Sequence, residues 1–167
     1  GASGMSNEAT QAVSAHYTGE AGKEYVKMRQ GSPMWPGYGI NLEAFKPYLS
    51  KSQVALDFGC GNGGMLRLLP ELVAKVDGLE VNPAARDIAL QFGQKVYASI
   101  NELPTTPTYD VVVSNHVLEH VPDVCATLSR VRQSMKPGAK IVIKLPLDDW
   151  RAAHQRKWGR GDTDYHI

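Results

Sequence analysis

Apolar and polar positions along the chain fall into blocks of two periods, and the blocks set its elements. Short apolar runs at 53–58, 75–80, 95–98, 109–115 and 139–145, bounded by turn residues, predict five strands. The run Tyr109-Asp110-Val111-Val112-Val113-Ser114-Asn115 is of the kind buried in a parallel sheet. Between the runs, apolar residues recur at helical spacing. Helices are predicted over 8–30, in two pieces broken near Thr18-Gly19, and through Leu42, Phe45 and Leu49 behind Asn41 as a cap. A further helix is predicted from the glycine cluster to about Ala74 through Met65, Leu66, Leu68, Leu69, Leu72 and Val73. Pro70 should kink or break it, at a cost of roughly 3 kcal/mol. Asn82-Pro83 is a cap followed by proline at the first helical position, which opens a helix over 83–92. Pro122-Asp123 opens another, to about Met135, and Lys136-Pro137-Gly138 turns the chain into the fifth strand. The stretch 30–39, rich in glycine, proline and aromatics, reads as loop. Strands alternating with helices give βαβ units, right-handed crossovers and an α/β fold with a mainly parallel sheet. Ligands of such sheets bind beyond the carboxyl ends of the strands.

One of those ends is unusual. Val54-Ala55-Leu56-Asp57-Phe58 runs into Gly59-Cys60-Gly61-Asn62-Gly63-Gly64, an acid and then a burst of glycines. Glycine at 59, 61 and 63 admits positive φ and lets a ligand lie against the backbone. Free N–H groups of a helix beginning there would suit a polar or anionic group. The glycines also fit G-x-G-x-x-G, and Glu80 stands about twenty residues on, as in dinucleotide-binding folds. Asp57 argues against that reading, because a carboxylate there repels a pyrophosphate and attracts a cationic amino group.

The run Leu56-Asp57-Phe58-Gly59-Cys60-Gly61-Asn62-Gly63 resembles the first motif of class I S-adenosylmethionine-dependent methyltransferases, in its D-x-G-C-G-x-G form. The stretch 109–123, containing Leu118-Glu119-His120-Val121-Pro122-Asp123, resembles the fourth motif of the small-molecule members, of the methyltransferase 11/12 type. Met135-Lys136-Pro137-Gly138 resembles the next landmark. The likeness covers residues 50–146 well and the N-terminal helices weakly. It implies a Rossmann-like three-layer sandwich with strand order 3-2-1-4-5 and S-adenosylmethionine as cofactor. It also implies cofactor contacts from Asp57, Gly59, Cys60, Gly61, Gly63, Glu80, Val81, Ser99, Ile100, Asn115 and His116. Glu80 would accept from the ribose hydroxyls, Ser99 and Ile100 would flank the adenine, and Asn115 and His116 would meet the methionine part. Ser99 stands where the family more often has an acid. An N-terminal helix of the family folds over the cofactor, which would give Tyr17, Tyr25 or Arg29 a lid role, and Trp35 or Tyr38 could line a substrate pocket.

His116-Val117-Leu118-Glu119-His120 also matches H-x-x-E-H, a zinc-protease pattern that needs both histidines on one helical face and a further ligand. A strand runs directly into these residues and Pro122 closes them, so no metal is expected. His116 and His120 are instead the candidate general bases, His120 having a structural, hydrogen-bonded role as its alternative. The reading is a methyltransferase acting on a small-molecule acceptor. A protein that binds S-adenosylmethionine without catalysis, and a nicotinamide-dependent oxidoreductase, are the alternatives.

Composition adds bounds. With 167 residues the chain suits one core, and 18 Lys plus Arg against 17 Asp plus Glu give no general pull toward nucleic acid or membrane. No apolar run reaches membrane-spanning length. Two cysteines, Cys60 and Cys125, make no disulfide framework, which points to a cytoplasmic protein. Trp150 and Trp158 among the tail's basic residues could hold single-stranded nucleic acid, but a solvated helix with two anchoring tryptophans is the better reading. Gly1-Ala2-Ser3-Gly4 ahead of Met5 reads as an expression scar, 5–50 as a helical cap, 51–146 as the S-adenosylmethionine-binding core and 147–167 as a truncated tail. Family members add two strands after the fifth. Without them Ile141, Val142, Ile143 and Leu145 would form an exposed edge, open to the tail or to a second copy in a homodimer.

Overall fold

A computed structural model describes residues 37–145 and, ahead of them, Lys23 in helical conformation; side chains are described from residue 41. Five strands form one sheet: β1 (Val54–Phe58), β2 (Lys75–Leu79), β3 (Val96–Tyr97), β4 (Tyr109–Asn115) and β5 (Met135–Lys144). Their order is β3-β2-β1-β4-β5, and every neighbouring pair is parallel. This is the expected order and the expected α/β class. Central β1 pairs Asp57 with Gly78 on one side and with Val113 on the other, so its carboxyl end opens between the ends of β2 and β4.

Helices cover both faces. Helix α1 (Gly37–Phe45) and α2 (Pro83–Leu90) lie on one face, where Leu42, Phe45 and Ala89 join Ala55, Leu66, Leu69, Val76, Val111 and Val113 in a buried cluster. Helix α3 (Val124–Gln133) lies on the other, where Val131 packs with Leu56, Phe58, Leu79, Tyr109 and Val112. Alternation along β1 and β4 sends successive residues to opposite clusters. Within the second cluster the buried Tyr109 hydroxyl donates to Asp77 Oδ2 at 2.7 Å, a polar tie between β4 and β2 across β1. Helix starts follow local chemistry: Asn82 Oδ1 accepts from Ala84 N and Ala85 N ahead of α2, and Asp123 Oδ1 accepts from Ala126 N ahead of α3.

Three expectations are corrected. No α-helix follows the glycine cluster; residues 61–68 form turns, and only Leu69–Glu71 is a regular, 3₁₀ turn. Pro70 has no N–H to give to the Leu66 carbonyl and its ring opposes that carbonyl, so the apolar residues are packed without a continuous ladder. The stretch 30–39 is not loop to its end, because α1 begins at Gly37; Asn41 is inside the helix rather than its cap, and its Oδ1 accepts from Lys144 Nζ at 2.9 Å. Strand β5 begins at Met135, before the predicted turn. Tyr109 pairs with Met135 and Val111 with Lys140, so Lys136-Pro137-Gly138 forms a bulge inside the strand, with Gly138 at φ +78°. Apart from Lys23, the helix at 8–30 lies outside the described residues, as do the side chains of Trp35 and Tyr38 and the tail at 147–167.

Candidate functional site

The glycine cluster is built around three left-handed glycines with three different surroundings. The N–H groups of Gly59 and Cys60 both donate to the Leu79 carbonyl at 2.9 Å, which fastens the turn to the end of β2. At Gly59 (φ +74°) a Cβ would stand 2.4 Å from a methyl of Val117. At Gly63 (φ +87°) it would meet Phe92 at 2.9 Å and the Ala89 backbone at 3.1 Å. At Gly61 (φ +56°) nothing stands within 4 Å. Two glycines therefore let the turn pack against its own protein, and the third faces open space. Cys60 turns its side chain into the core, and burial pushes its thiol far up, with Asp57 and Glu80 adding to the shift. Only its backbone is positioned to meet a ligand.

Two carboxylates flank the turn. Glu80 Oε1 accepts from the Gly61 N–H and Oε2 from the Asn82 N–H, both at 2.8 Å, so the side chain staples the turn to the start of α2. Burial raises its carboxyl despite those bonds. Asp57 is 2% exposed, and its Oδ2 is buried without a hydrogen-bond partner. Burial first and the charge of Glu80 second push its carboxyl up to about 7. A buried oxygen left unpaired is costly, and a donor or cation brought to it recovers that cost. The arrangement fits a ligand carrying an ammonium group and extending over Gly61. Val81, next to Glu80, is 46% exposed, an apolar surface at the rim. Ser99 and Ile100 follow β3 one strand further out, half-buried, at the start of a 3₁₀ turn.

On the other side of β1, the end of β4 carries Asn115, whose Oδ1 is also buried without a partner. His116 follows at φ +55°, the positive-φ residue other than glycine among those described, and its N–H donates to the Lys144 carbonyl at 2.9 Å. Left-handed φ is uncommon outside glycine, and histidine is among the few side chains that adopt it more readily. Leu118–His120 is a single 3₁₀ turn, so His116 and His120 do not share a helical face. Between them stands Glu119, with Oε1 3.7 Å from His116 Nδ1 and 3.6 Å from His120 Nε2. Among the described residues no group of three or more His, Cys, Asp or Glu is arranged to hold a metal ion.

The strand ends thus bring Asp57, Gly59, Gly61 and Glu80 into one contiguous group and join His116 to His120 through Glu119. Val117, packed on Gly59, links the two groups. Ser99 and Ile100 stand apart, tied to neither by a hydrogen bond. Sequence reasoning gave no role to Asn62, whose Nδ2 is buried without a partner, nor to Glu119. Both lie inside the motifs, and the position of Glu119 between two histidines was the available signal.

Residues 38–167 match the family described as "Methyltransferase domain". Over 106 residues the chain is 33% identical to a ubiquinone biosynthesis O-methyltransferase of Bradyrhizobium sp. (strain ORS 278), covering 58% of this chain and 41% of that one. Over 95 residues it is 35% identical to the protein of the same name from Nitrosococcus oceani, covering 52% and 40%. The matched part is about four tenths of the length of these curated relatives. Among solved structures, the plantazolicin methyltransferase BpumL in complex with a pentazolic desmethylPZN analog and SAH superposes with TM-score 0.69 at 16% identity, over 96% of this chain and 66% of that one. The DhpI-SAM-HEP complex gives 0.65 at 20% identity, over 97% and 76%.

Proposed function

The chain belongs to the methyltransferase-domain family, and from that premise we propose that it binds S-adenosylmethionine across the ends of β1 to β4 and methylates a small-molecule acceptor. The observation that carries this is Asp57, a buried carboxylate with an unpartnered oxygen beside a glycine turn whose middle glycine faces open space. When bound, the cofactor supplies a methyl group already activated on a sulfonium. Asp57 would hold its amino group, and Glu80, which keeps lone pairs beyond those given to Gly61 and Asn82, its ribose hydroxyls. The backbone from Gly59 to Gly63 would lie along the chain between them. Val81 would cover the rim, with Ser99 and Ile100 flanking the adenine. Asn115 Oδ1 would accept from the methionine part. Alignment of donor and acceptor in this frame is worth roughly 7–11 kcal/mol of barrier.

The names of the relatives speak for methylation at oxygen. A hydroxyl must lose its proton as the new bond forms, and His116 and His120 are the groups at hand to take it. Nicotinamide chemistry is the weaker reading, since a pyrophosphate over Gly61 would face Asp57 and Glu80 together. Free Cys60 and Cys125 suit the cytoplasm. The test is transfer of a labelled methyl group from S-adenosylmethionine to a panel of phenols, alcohols and carboxylic acids. Label is expected in a small-molecule product. Tight cofactor binding with no transfer to any acceptor class would leave a cofactor-binding protein without catalysis.

A further inference from the structure

Glu119 was given no role among the cofactor contacts above, yet its placement is specific. Its side chain is 5% exposed, while the imidazoles beside it, His116 and His120, are 41% and 36% exposed. Oε1 stands 3.7 Å from His116 Nδ1 and 3.6 Å from His120 Nε2, and Oε2 is buried without a hydrogen-bond partner. An ionised carboxylate only accepts, so the ring nitrogen that faces it is the one that carries the proton. The distances are a few tenths of an ångström beyond a hydrogen bond, which is common at catalytic groups before the reacting complex closes.

The backbone favours His116 over His120 as the residue that this carboxylate serves. Left-handed φ at His116 turns the chain sharply as it leaves β4 and sets the imidazole back over the side chain three residues on. The next residue, Val117, packs on Gly59, so this turn adjoins the cluster that would hold the cofactor. We propose that Glu119 is a positioning residue, which fixes the proton of neutral His116 on Nδ1 and so presents Nε2 as the proton acceptor for a hydroxyl substrate. The inference rests on the methyl-transfer reading for its purpose, but its geometry does not. As the acceptor oxygen bonds to the methyl carbon, the carbon–sulfur bond breaks with its electron pair on sulfur. The hydroxyl proton passes to His116 Nε2. The imidazolium so formed keeps its Nδ1–H toward the Glu119 carboxylate, which stabilises the charge until the proton is passed to water.

The tautomer is readable without any acceptor. Long-range ¹H–¹⁵N correlation spectra of the ¹⁵N-labelled protein, recorded where the imidazoles are neutral and assigned with His116→Asn, report which nitrogen of His116 holds the proton. The expected result is Nδ1–H in the wild type, retention in Glu119→Gln, whose amide oxygen still accepts, and a move to Nε2–H in Glu119→Ala. S-adenosylhomocysteine affinity should change less than threefold in Glu119→Ala. A wild-type His116 protonated on Nε2 overturns the proposal even if Glu119→Ala does not fold, and so does an unchanged tautomer in a folded Glu119→Ala. A tenfold loss of S-adenosylhomocysteine affinity in that variant overturns it too, by placing Glu119 among the cofactor contacts. Failure of the wild type to bind S-adenosylhomocysteine would strike the functional reading, and leave the tautomer result standing.

Discussion

Asp57 carries two consequences that can be measured at the level of one side chain. Its folded pKa, about 7, lies above the ordinary value of 3.8, with burial the larger cause and Glu80 the second. A carboxyl raised in this way stabilises the fold in full below about pH 4, and that contribution is lost as pH rises through 7. Relative to the wild type, Asp57→Asn should therefore gain stability as pH rises from about 4 to about 7, by up to a few kcal/mol, in urea titrations without ligand. A constant difference between the two proteins across that range would contradict the buried, unpaired carboxyl. At Glu80, replacement by alanine removes the acceptor of the Gly61 and Asn82 N–H groups, together with the ribose contacts proposed for it. Cofactor binding should weaken by roughly 2–3 kcal/mol. Unchanged affinity in calorimetry would sink the assignment. Asp57, the glycines and Glu80 were legible from the sequence because their spacing is local to two strand ends. The staple from Glu80 to Gly61 was not, because it joins residues that only strand pairing brings together.

At the level of elements, the turn after β1 shows where pattern and physics diverge. Met65, Leu66, Leu69 and Val73 are buried as the helical period demands, yet the ladder never forms around Pro70. Periodicity reported the buried face correctly and the conformation wrongly. The starts of α2 and α3 were legible through Asn82 and Asp123, whose side chains accept from the first turn. The early starts of α1 and β5 were hidden by Gly37 and by Lys136-Pro137-Gly138, residues that read as loop and stand in regular elements here. The glycines of the turn make a sharper test. Alanine at either Gly59 or Gly61 pays roughly 1–2 kcal/mol for its left-handed φ. Gly59→Ala adds an overlap with Val117 that costs roughly 1–3 kcal/mol more, whereas Gly61→Ala enters open space. Urea midpoints should fall further for Gly59→Ala, while Gly61→Ala folds but binds cofactor weakly. Equal loss of stability in both would mean that Val117 does not press on the turn.

Across the whole molecule, the parallel sheet followed from alternating strands and helices and its order β3-β2-β1-β4-β5 from the family resemblance, and the sheet has both. Ile143 near the end of β5 and Leu145 just after it are 40% and 45% exposed, so this strand presents an apolar edge among the described residues. Amide exchange along β5 should slow as the protein is concentrated if a second copy pairs there; exchange independent of concentration would refute that pairing. The central claim, a cofactor site spanning β1 to β4 and selective for a ligand with an amino group and a ribose, is tested most directly by calorimetric titration. S-adenosylhomocysteine and NAD are titrated in parallel into the same chain. The expected result is one S-adenosylhomocysteine bound per chain and no measurable heat from NAD. Binding of NAD, with S-adenosylhomocysteine silent, would contradict it.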